Sequence, residues 1–240
     1  MALKEAKVIT VTSVKGGTGK STTVLNLAGV LSLEKKKTVI LDLDLYSGVI
    51  AASLNLEAEK NINTFALDLA DNRFEDMEDY IYSFNEYIDV VSAPIDPRNA
   101  GSITSNAISV MIGRLKYKYD IILVDTSHVL NRINLSILDM SDSVLYIMTS
   151  DLMGIKNMKT MISILKDMGF DKYKIVLNEA VSINTSYTKE AIEDLISNPI
   201  DCIIPKSFYL KQMEKYIYKG NIVTLDKAFA KVIPIFKKML

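Results

Sequence analysis

Short runs rich in Val and Ile recur along the chain at intervals that suit the strands of a buried sheet. Most of these runs lack a strict alternation of apolar and polar residues, which is typical of parallel strands covered on both faces. Between them, apolar residues recur at positions i, i+3, i+4 and i+7, the spacing of one helix face. The runs predicted as strands are residues 8–14, 38–43, 88–91, 121–124, 143–148, 174–177 and 200–204.

The alternation of these strands with helical segments predicts the fold class. The helical spacing is clearest in residues 24–31 and 155–165. Strands and helices that alternate in this way indicate an α/β fold, a doubly wound and mostly parallel sheet with helices on both faces. At 240 residues the chain is long enough for a well-buried core, and we expect a single domain over residues 1–240. Ligands of such folds bind at the carboxyl ends of the strands.

Polar residues concentrate where the predicted strands end. The glycine-rich stretch 15–22 follows the first strand, Asp42 and Asp44 the second, Asp125 the fourth and Asn178 the sixth. Because the carboxyl ends of parallel strands meet at one edge of a sheet, we expect these four segments to converge.

The glycine-rich stretch has the properties of a phosphate-binding loop. Its glycines let successive backbone amides point inward, and the following helix adds its positive N-terminal end. Lys20 is predicted to meet the β- and γ-phosphates of ATP, or the β-phosphate of ADP, and the Ser21 hydroxyl to bind Mg²⁺. The predicted nucleotide-binding residues of the loop are Gly16, Gly17, Thr18, Gly19, Lys20, Ser21 and Thr22.

Three aspartates at the strand ends are candidates for the metal and for catalysis. Asp125 ends an apolar strand, where a carboxylate can hold a water ligand of Mg²⁺, although a helix cap would also explain it. Asp42 and Asp44 are two positions apart and so point to the same side of their strand. One can orient a metal-bound water and the other the attacking water, although a polar turn would also explain Asp44. The predicted metal ligands are Ser21, Asp42 and Asp125, and the predicted catalytic residues are Lys20 and Asp44.

The phosphate loop departs from the usual pattern in two positions. Val14 stands where the first glycine of G-x-x-x-x-G-K-[ST] belongs, and a second lysine, Lys15, follows it. With Asp-Leu-Asp at 42–44 and Ile-Ile-Leu-Val-Asp at 121–125, this loop resembles the deviant Walker A ATPases of the MinD/ParA family. Further stretches such as "SAPIDP" and "KIVLNEA" look most like its pilus-assembly branch, the CpaE/TadZ-like proteins.

The resemblance covers nearly the whole chain and implies a role for the extra lysine. It implies a P-loop NTPase fold, slow ATP hydrolysis and a homodimer in the ATP state. Lys15 would correspond to the signature lysine, which reaches the phosphates of the partner subunit, while Lys20 acts within its own subunit. Asn178 would read the adenine. Two positions depart from the family: Thr126 stands where many relatives have proline after the aspartate, and Glu179 replaces a commonly basic residue.

Charge is distributed unevenly along a chain whose formal net charge is -1. Residues 206–240 contain eight lysines and two acidic residues, a charge of +6, so the first 205 residues carry -7. This pattern allows a weak contact between the basic C-terminal segment and an anionic membrane or DNA. A single cysteine, Cys202, excludes a disulfide framework within the chain and suits a cytoplasmic protein.

These observations favour a Mg²⁺- and ATP-dependent dimerising switch with slow hydrolysis. By resemblance, it would position a pilus or secretion machine through protein partners, at a cell pole or the inner membrane face. Partitioning of chromosomes or plasmids and placement of the division site are alternatives within the same family. A bacterial tyrosine kinase, against which Lys15 argues, and a non-hydrolysing scaffold are alternatives from other classes.

Overall fold

A mostly parallel sheet of eight strands forms the centre of the computed structural model, which describes residues 5–181, 187–206 and 219–240. The strands are β1 Lys7–Ser13, β2 Thr38–Leu43, β3 Tyr82–Ser83, β4 Ile88–Val91, β5 Ile121–Thr126, β6 Ser143–Met148, β7 Tyr173–Asn178 and β8 Cys202–Ile204. Their order across the sheet is β3-β4-β2-β5-β1-β6-β7-β8. Among the described strands, only β3 pairs in the antiparallel sense, with β4 at one edge.

Helices cover both faces of this sheet, because the strand side chains alternate between two apolar layers. One layer packs against α1, α2 and α8, and the other packs against α3 to α7. The doubly wound α/β class predicted from the sequence is therefore confirmed. The helices are α1 Lys20–Leu33, α2 Ile50–Ser53, α3 Ile62–Ala70, α4 Ser105–Leu115, α5 Arg132–Met140, α6 Leu152–Asp167, α7 Lys189–Ile196 and α8 Ile233–Lys237.

The seven predicted strands are all present, with bounds that differ by a few residues. The largest differences are two residues, at β8, which begins at Cys202 rather than at residue 200, and at β5, which ends at Thr126 rather than at residue 124. The pattern missed β3, because Tyr82–Ser83 is too short to show a period and its exposed side lacks apolar residues. The two predicted helix faces are also buried, with Val24 and Leu27 in α1 and Met158 and Leu165 in α6 excluded from solvent.

Helix α1, which begins at the phosphate loop, is covered on nearly its whole circumference. Eleven of its fourteen residues are buried, so it is an interior element rather than an amphipathic surface helix. Its outer side is covered by the turn Val223–Leu225 and by α8. Thr224 donates a hydrogen bond from its hydroxyl to the carbonyl of Asn26 in α1, at 3.0 Å. The C-terminal part of the chain thus holds the helix that follows the phosphate loop.

The predicted basic segment falls partly outside the described residues. Lys206 and Lys219 border the gap, while Lys211 and Lys215 lie within it. In the ranges that the structure does describe, no helix is both long enough and apolar enough to span a lipid bilayer.

Candidate functional site

The phosphate loop connects β1 to α1 with two glycines in the left-handed region. Gly17 has a φ of 71° and Gly19 a φ of 88°, which other residues adopt only with strain. Gly19 occupies the N-cap position of α1, and no side chain accepts hydrogen bonds from the first amides of the helix. Those amides are therefore available to an anion. Lys20, the first residue of the helix, is only 8% exposed.

Asn178, from the end of β7, packs directly against this loop. Its side-chain amide donates a hydrogen bond to the carbonyl of Thr18 at 2.8 Å, and its side-chain oxygen accepts one from the amide of Ala180 at 3.1 Å. A Cβ at position 19 would lie 2.6 Å from the Asn178 amide nitrogen, so the close approach also requires glycine there. The structure thus places Asn178 at the phosphate loop, and its predicted contact with adenine stays a prediction.

Two buried carboxylates lie side by side at the carboxyl ends of β2 and β5. Asp42 and Asp125 are register partners on these neighbouring strands, with exposures of 1% and 0%. Burial and the charge of Asp125 raise the pKa of Asp42 well above its ordinary value. Burial likewise raises the pKa of Asp125, although the nearby Ser21 hydroxyl and Lys20 ammonium oppose the rise. Two carboxylates buried side by side on neighbouring strands favour a cation between or beside them, because the cation offsets the repulsion between their charges.

The hydrogen bonds of the two aspartates differ. Asp42 accepts from the backbone amides of Asp44 and Ile50, at 3.3 and 3.0 Å. In contrast, neither carboxylate oxygen of Asp125 accepts a hydrogen bond of ordinary geometry from the described residues, although the Ser21 hydroxyl is close enough to lower its pKa. Such orphaned buried oxygens are rare in proteins. The free oxygens of Asp125, beside the Ser21 hydroxyl, therefore fit a hydrated Mg²⁺.

The protein groups alone do not form a complete metal site. Within the part of the chain that the structure describes, no cluster of three or more His, Cys, Asp or Glu side chains is arranged around a metal position. Mg²⁺ commonly takes few protein ligands and completes its octahedron with phosphate oxygens and water. The arrangement of Ser21 and Asp125 beside a phosphate loop suits this mode of binding.

Asp44 lies just beyond the end of β2, in a loop that closes over Asp42. It is half-buried, and its charge adds to the rise in the pKa of both buried aspartates. Gly48 brings the loop close to the next strand end, since a Cβ there would lie 2.3 Å from the Cβ of Ala93 and 2.8 Å from a carboxylate oxygen of Asp42. Asp44 therefore lies near the two buried aspartates, and its predicted catalytic role stays a prediction.

The extra lysine of the loop is paired within its own subunit. The Lys15 ammonium donates to a carboxylate oxygen of Asp151 at 2.6 Å. Asp151 is the N-cap of α6, where its other oxygen accepts from the Gly154 amide at 3.0 Å, and it also accepts from the Thr149 hydroxyl. Burial raises the pKa of Asp151, but the hydrogen bonds from Lys15, Thr149 and Gly154 lower it further, to well below its ordinary value.

Sequence reasoning missed Asp151 as a partner of Lys15. An aspartate before a predicted helix is most simply explained as its N-cap. The side chain of Asp151 does cap α6. The contact with Lys15 joins positions that are 136 residues apart, and only the adjacency of β1 and β6 brings them together.

Exposed apolar side chains surround this edge of the sheet. They extend from the loops that follow β2, β4 and β5 and from the first turn of α6, which follows β6. Exposed apolar side chains that gather on one part of a surface are typical of interaction sites. The exposed apolar residues at this edge are Tyr46, Val49, Ile95, Val129, Leu130, Leu152 and Met153.

Comparison with known proteins agrees with this geometry. A model of the AAA domain family AAA_31 matches residues 6–178. The septum site-determining protein MinD of Synechocystis sp. is 27% identical over 205 residues, covering 83% of this chain and 76% of that protein. A ParA family ATPase from Chlorobium tepidum TLS shares 20% identity with a TM-score of 0.83, covering 96% of each chain. The MinD of Pyrococcus horikoshii OT3 complexed with Mg-ADP shares 21% identity with a TM-score of 0.76, covering 98% of this chain and 94% of the other. Its fold is that of the MinD and ParA proteins, which its motifs also resemble. The chain therefore belongs to the AAA domain family AAA_31.

Proposed function

We propose that this chain binds ATP with Mg²⁺ and hydrolyses it slowly as a dimerising switch, with residues 1–240 acting as one ATPase domain. The observation that carries the proposal is the buried Lys20 at the start of α1, near a buried Asp125 whose carboxylate accepts no hydrogen bond of ordinary geometry from the described residues. A cation and a metal-binding carboxylate at one helix N-terminus are suited to a triphosphate and its metal ion. The Mg-ADP complex of the structurally similar MinD from Pyrococcus horikoshii supports the same ligand.

Each residue of the site has a distinct task in this proposal. The backbone of Gly16 to Gly19 and the side chains of Lys20 and Thr22 surround the phosphates. Ser21, Asp42 and Asp125 would hold Mg²⁺ directly or through its water ligands, and the ion would neutralise charge on the phosphate oxygens. Asp44, at the mouth of the site, positions the attacking water. Asn178, already fixed against the phosphate loop, borders the adenine.

A second copy of the chain is the proposed partner in the ATP state. Lys15 lies at the edge of the sheet where exposed apolar residues from three loops and the first turn of α6 surround the phosphate site. A second subunit across this edge would cover the apolar residues and bring its phosphates to Lys15. A second cation at the γ-phosphate stabilises the charge of the transition state, as an arginine finger does.

The cellular role is proposed on the resemblance to the CpaE/TadZ-like branch. In that role the switch positions a pilus or secretion machine through protein partners, from the cytoplasm or from a site at a pole or the inner membrane. Partitioning of DNA and division-site placement use the same nucleotide cycle, so pull-down of partner proteins by the ATP-bound form would separate them.

Titration calorimetry of the Lys20→Ala variant tests the nucleotide site. We expect the variant to lose detectable binding of ATP with Mg²⁺, because a triphosphate would lose its principal buried cation. Lys36→Ala, an exposed lysine after α1, is the control and should bind as the wild type does. Equal affinity of wild type and Lys20→Ala for ATP would refute the proposed nucleotide site.

A separate assay tests the tyrosine-kinase alternative. Phosphotyrosine in the protein after incubation with ATP would favour it.

A further inference from the structure

A small, partly open cavity lies behind the loop that follows β5. Its walls are the ends of β1, β5 and β6 together with α5 and α6, and residues 128–130 form its roof. About 10 Å³ is open to the centre of a water molecule, which is the room that one water needs. The cavity lies on the face of the sheet opposite α1, so it is separate from the phosphate site.

Tyr146 lines this cavity, and its hydroxyl is buried without a hydrogen-bond partner among the described residues. The side chain is 1% exposed. Burial and the neighbouring Tyr173 raise the pKa of Tyr146 to about 12, so the hydroxyl stays protonated and needs an acceptor. Buried hydroxyls without a partner are rare, and an ordered water commonly supplies the missing bond.

Other polar groups face the same cavity and also hold the loop. Thr12 is the register partner of Tyr146 on the neighbouring strand, and its hydroxyl donates to the carbonyl of Ser127 at 3.3 Å. Asn134 donates from its side-chain amide to the carbonyl of Val129 at 2.6 Å and to the Ser127 hydroxyl at 3.1 Å. A threonine hydroxyl that donates keeps lone pairs for a further donor. The wall can therefore accept hydrogen bonds from a water that itself accepts one from Tyr146.

We propose that Tyr146 holds one buried water that bridges its hydroxyl to this polar wall and thereby fixes the loop of residues 127–130. That loop begins two residues after Asp125 and exposes Val129 and Leu130 at the edge where a second copy would dock. Tyr146 is thus a positioning residue for the segment that connects the metal-binding aspartate with the dimer surface. The catalytic part of this inference rests on the proposed function, whereas the water and the loop do not.

Replacement of Tyr146 by Phe tests the proposal with opposite expected signs. If a water bridges the hydroxyl, Tyr146→Phe loses a buried hydrogen-bond network, and amide exchange at residues 127–129 becomes about five- to tenfold faster. If the hydroxyl is dry and unpaired, its removal is favourable and the melting temperature rises. Tyr173→Phe is the matched control, because that hydroxyl bonds to Asn198 at 3.1 Å and lies outside the cavity. It should leave exchange in the loop unchanged.

A crystal structure and steady-state kinetics complete the test. We expect one water within hydrogen-bond distance of the Tyr146 oxygen and of a second polar atom of the cavity, absent in Tyr146→Phe. In ATP turnover the variant should lower kcat and leave KM unchanged, because the phosphate loop is not altered. A dry cavity in the wild type, or unchanged exchange in Tyr146→Phe, would overturn the proposal. If Tyr146→Phe does not fold, the proposal is tested by the buried water in the wild-type crystal structure and by amide exchange at residues 127–129 in Thr12→Val. A wild type without ATPase activity would refute the proposed function alone.

Discussion

The pairing of Lys15 with Asp151 gives the extra lysine two alternative anionic partners. In the single subunit it is held by Asp151 at 2.6 Å, and both side chains are about one third exposed. In the proposed dimer it would leave this carboxylate for the phosphates of the partner subunit. Ion pairs of this exposure contribute little to stability, about 0–1 kcal/mol. The pair therefore opposes dimerisation only weakly, by the free energy needed to break it.

Asp151→Asn should make dimerisation easier. Asparagine is an equally good N-cap, so α6 keeps its first hydrogen bond while Lys15 loses its charged partner. We expect the protein concentration at half-dimerisation, measured by light scattering with a non-hydrolysable ATP analogue, to fall by up to about thirtyfold, because one such pair is absent from each of the two subunits. Asp167→Asn, at the exposed far end of α6, should leave it unchanged. An unchanged midpoint in Asp151→Asn would mean that the pair does not restrain Lys15.

The same pair should respond to acid in a defined direction. Because the folded-state pKa of Asp151 is lowered, its contribution to stability is present above the unfolded value of about 3.9 and is lost as the pH falls through the lowered pKa. In a pH series of unfolding free energies, Asp151→Asn should therefore differ from the wild type near neutral pH and converge with it in strong acid. A difference that persists at the lowest pH would point to a cause other than the charge.

Individual residues of the site were predictable to the extent that their sequence neighbours define them. The phosphate loop can be read because glycines, Lys20 and Ser21 stand in a fixed register between a strand and a helix. The ion pair of Lys15 with Asp151 and the surroundings of Tyr146 cannot be predicted from the sequence. Both depend on the pairing of β1 with β6. The sequence also does not reveal that Asp42 accepts two loop amides while Asp125 accepts none.

At the scale of elements, the end of α1 carries a strained lysine. Lys35 has a φ of 56° at the position after the helix cap where glycine is common. The amides of Lys35 and Lys36 donate to the carbonyls of Ser32 and Leu31, at 2.9 and 3.0 Å, which is the Schellman pattern. Lys35→Gly should raise the free energy of unfolding by about 0.5–1 kcal/mol in urea titrations. Lys35→Ala keeps the Cβ and should give no gain, and an equal gain from alanine would instead indicate relief of repulsion between lysines.

Two helical glycines should respond in opposite directions to alanine. Alanine is favoured over glycine inside helices by about 1 kcal/mol. At Gly29 in α1, however, a Cβ would lie 2.1 Å from the Thr224 hydroxyl and 2.6 Å from Ile222, and such overpacking typically costs about 1–3 kcal/mol. At Gly113 in α4 a Cβ meets nothing within 4 Å. Thermal unfolding should therefore show Gly29→Ala destabilised and Gly113→Ala unchanged or stabilised. Stabilisation by Gly29→Ala would mean that the turn at residues 222–225 moves away from α1 and makes room for the added methyl group.

The elements themselves followed from the sequence because a doubly wound sheet buries its strands on both faces. Continuous Val and Ile runs therefore identify β1, β2 and β4 to β7 with nearly correct bounds. β3 could not be identified, since two residues pair with β4 through backbone hydrogen bonds and leave no apolar pattern. The position of the turn Val223–Leu225 on α1 could not be identified either, because it depends on a contact between Thr224 and Asn26.

At the scale of the whole molecule, the strand order explains why one edge of the sheet carries all the candidate chemistry. β1 lies between β5 and β6, so the loops after these three strands meet around Lys15. β2 lies next to β5 and adds Asp42 beside Asp125. The exposed apolar residues lie at the same edge, so a partner that covers them also reaches the phosphates. Dimerisation and nucleotide binding are therefore expected to depend on each other.

Variants of Lys15 and Asp44 should separate ATP binding from dimerisation and from ATP hydrolysis. Lys15→Ala keeps the loop from Gly16 to Ser21 and should bind ATP but neither dimerise nor hydrolyse it, because the partner's phosphates lose their second cation. Asp44→Ala should bind ATP and accumulate as a dimer, because the attacking water is no longer positioned. Loss of a positioned catalytic group commonly lowers the rate by about 10²- to 10⁴-fold, which makes the trapped dimer visible in size-exclusion chromatography. Turnover assays on the same samples should find both variants inactive. If Lys15→Ala forms dimers with ATP as the wild type does, Lys15 contacts only the phosphates of its own subunit.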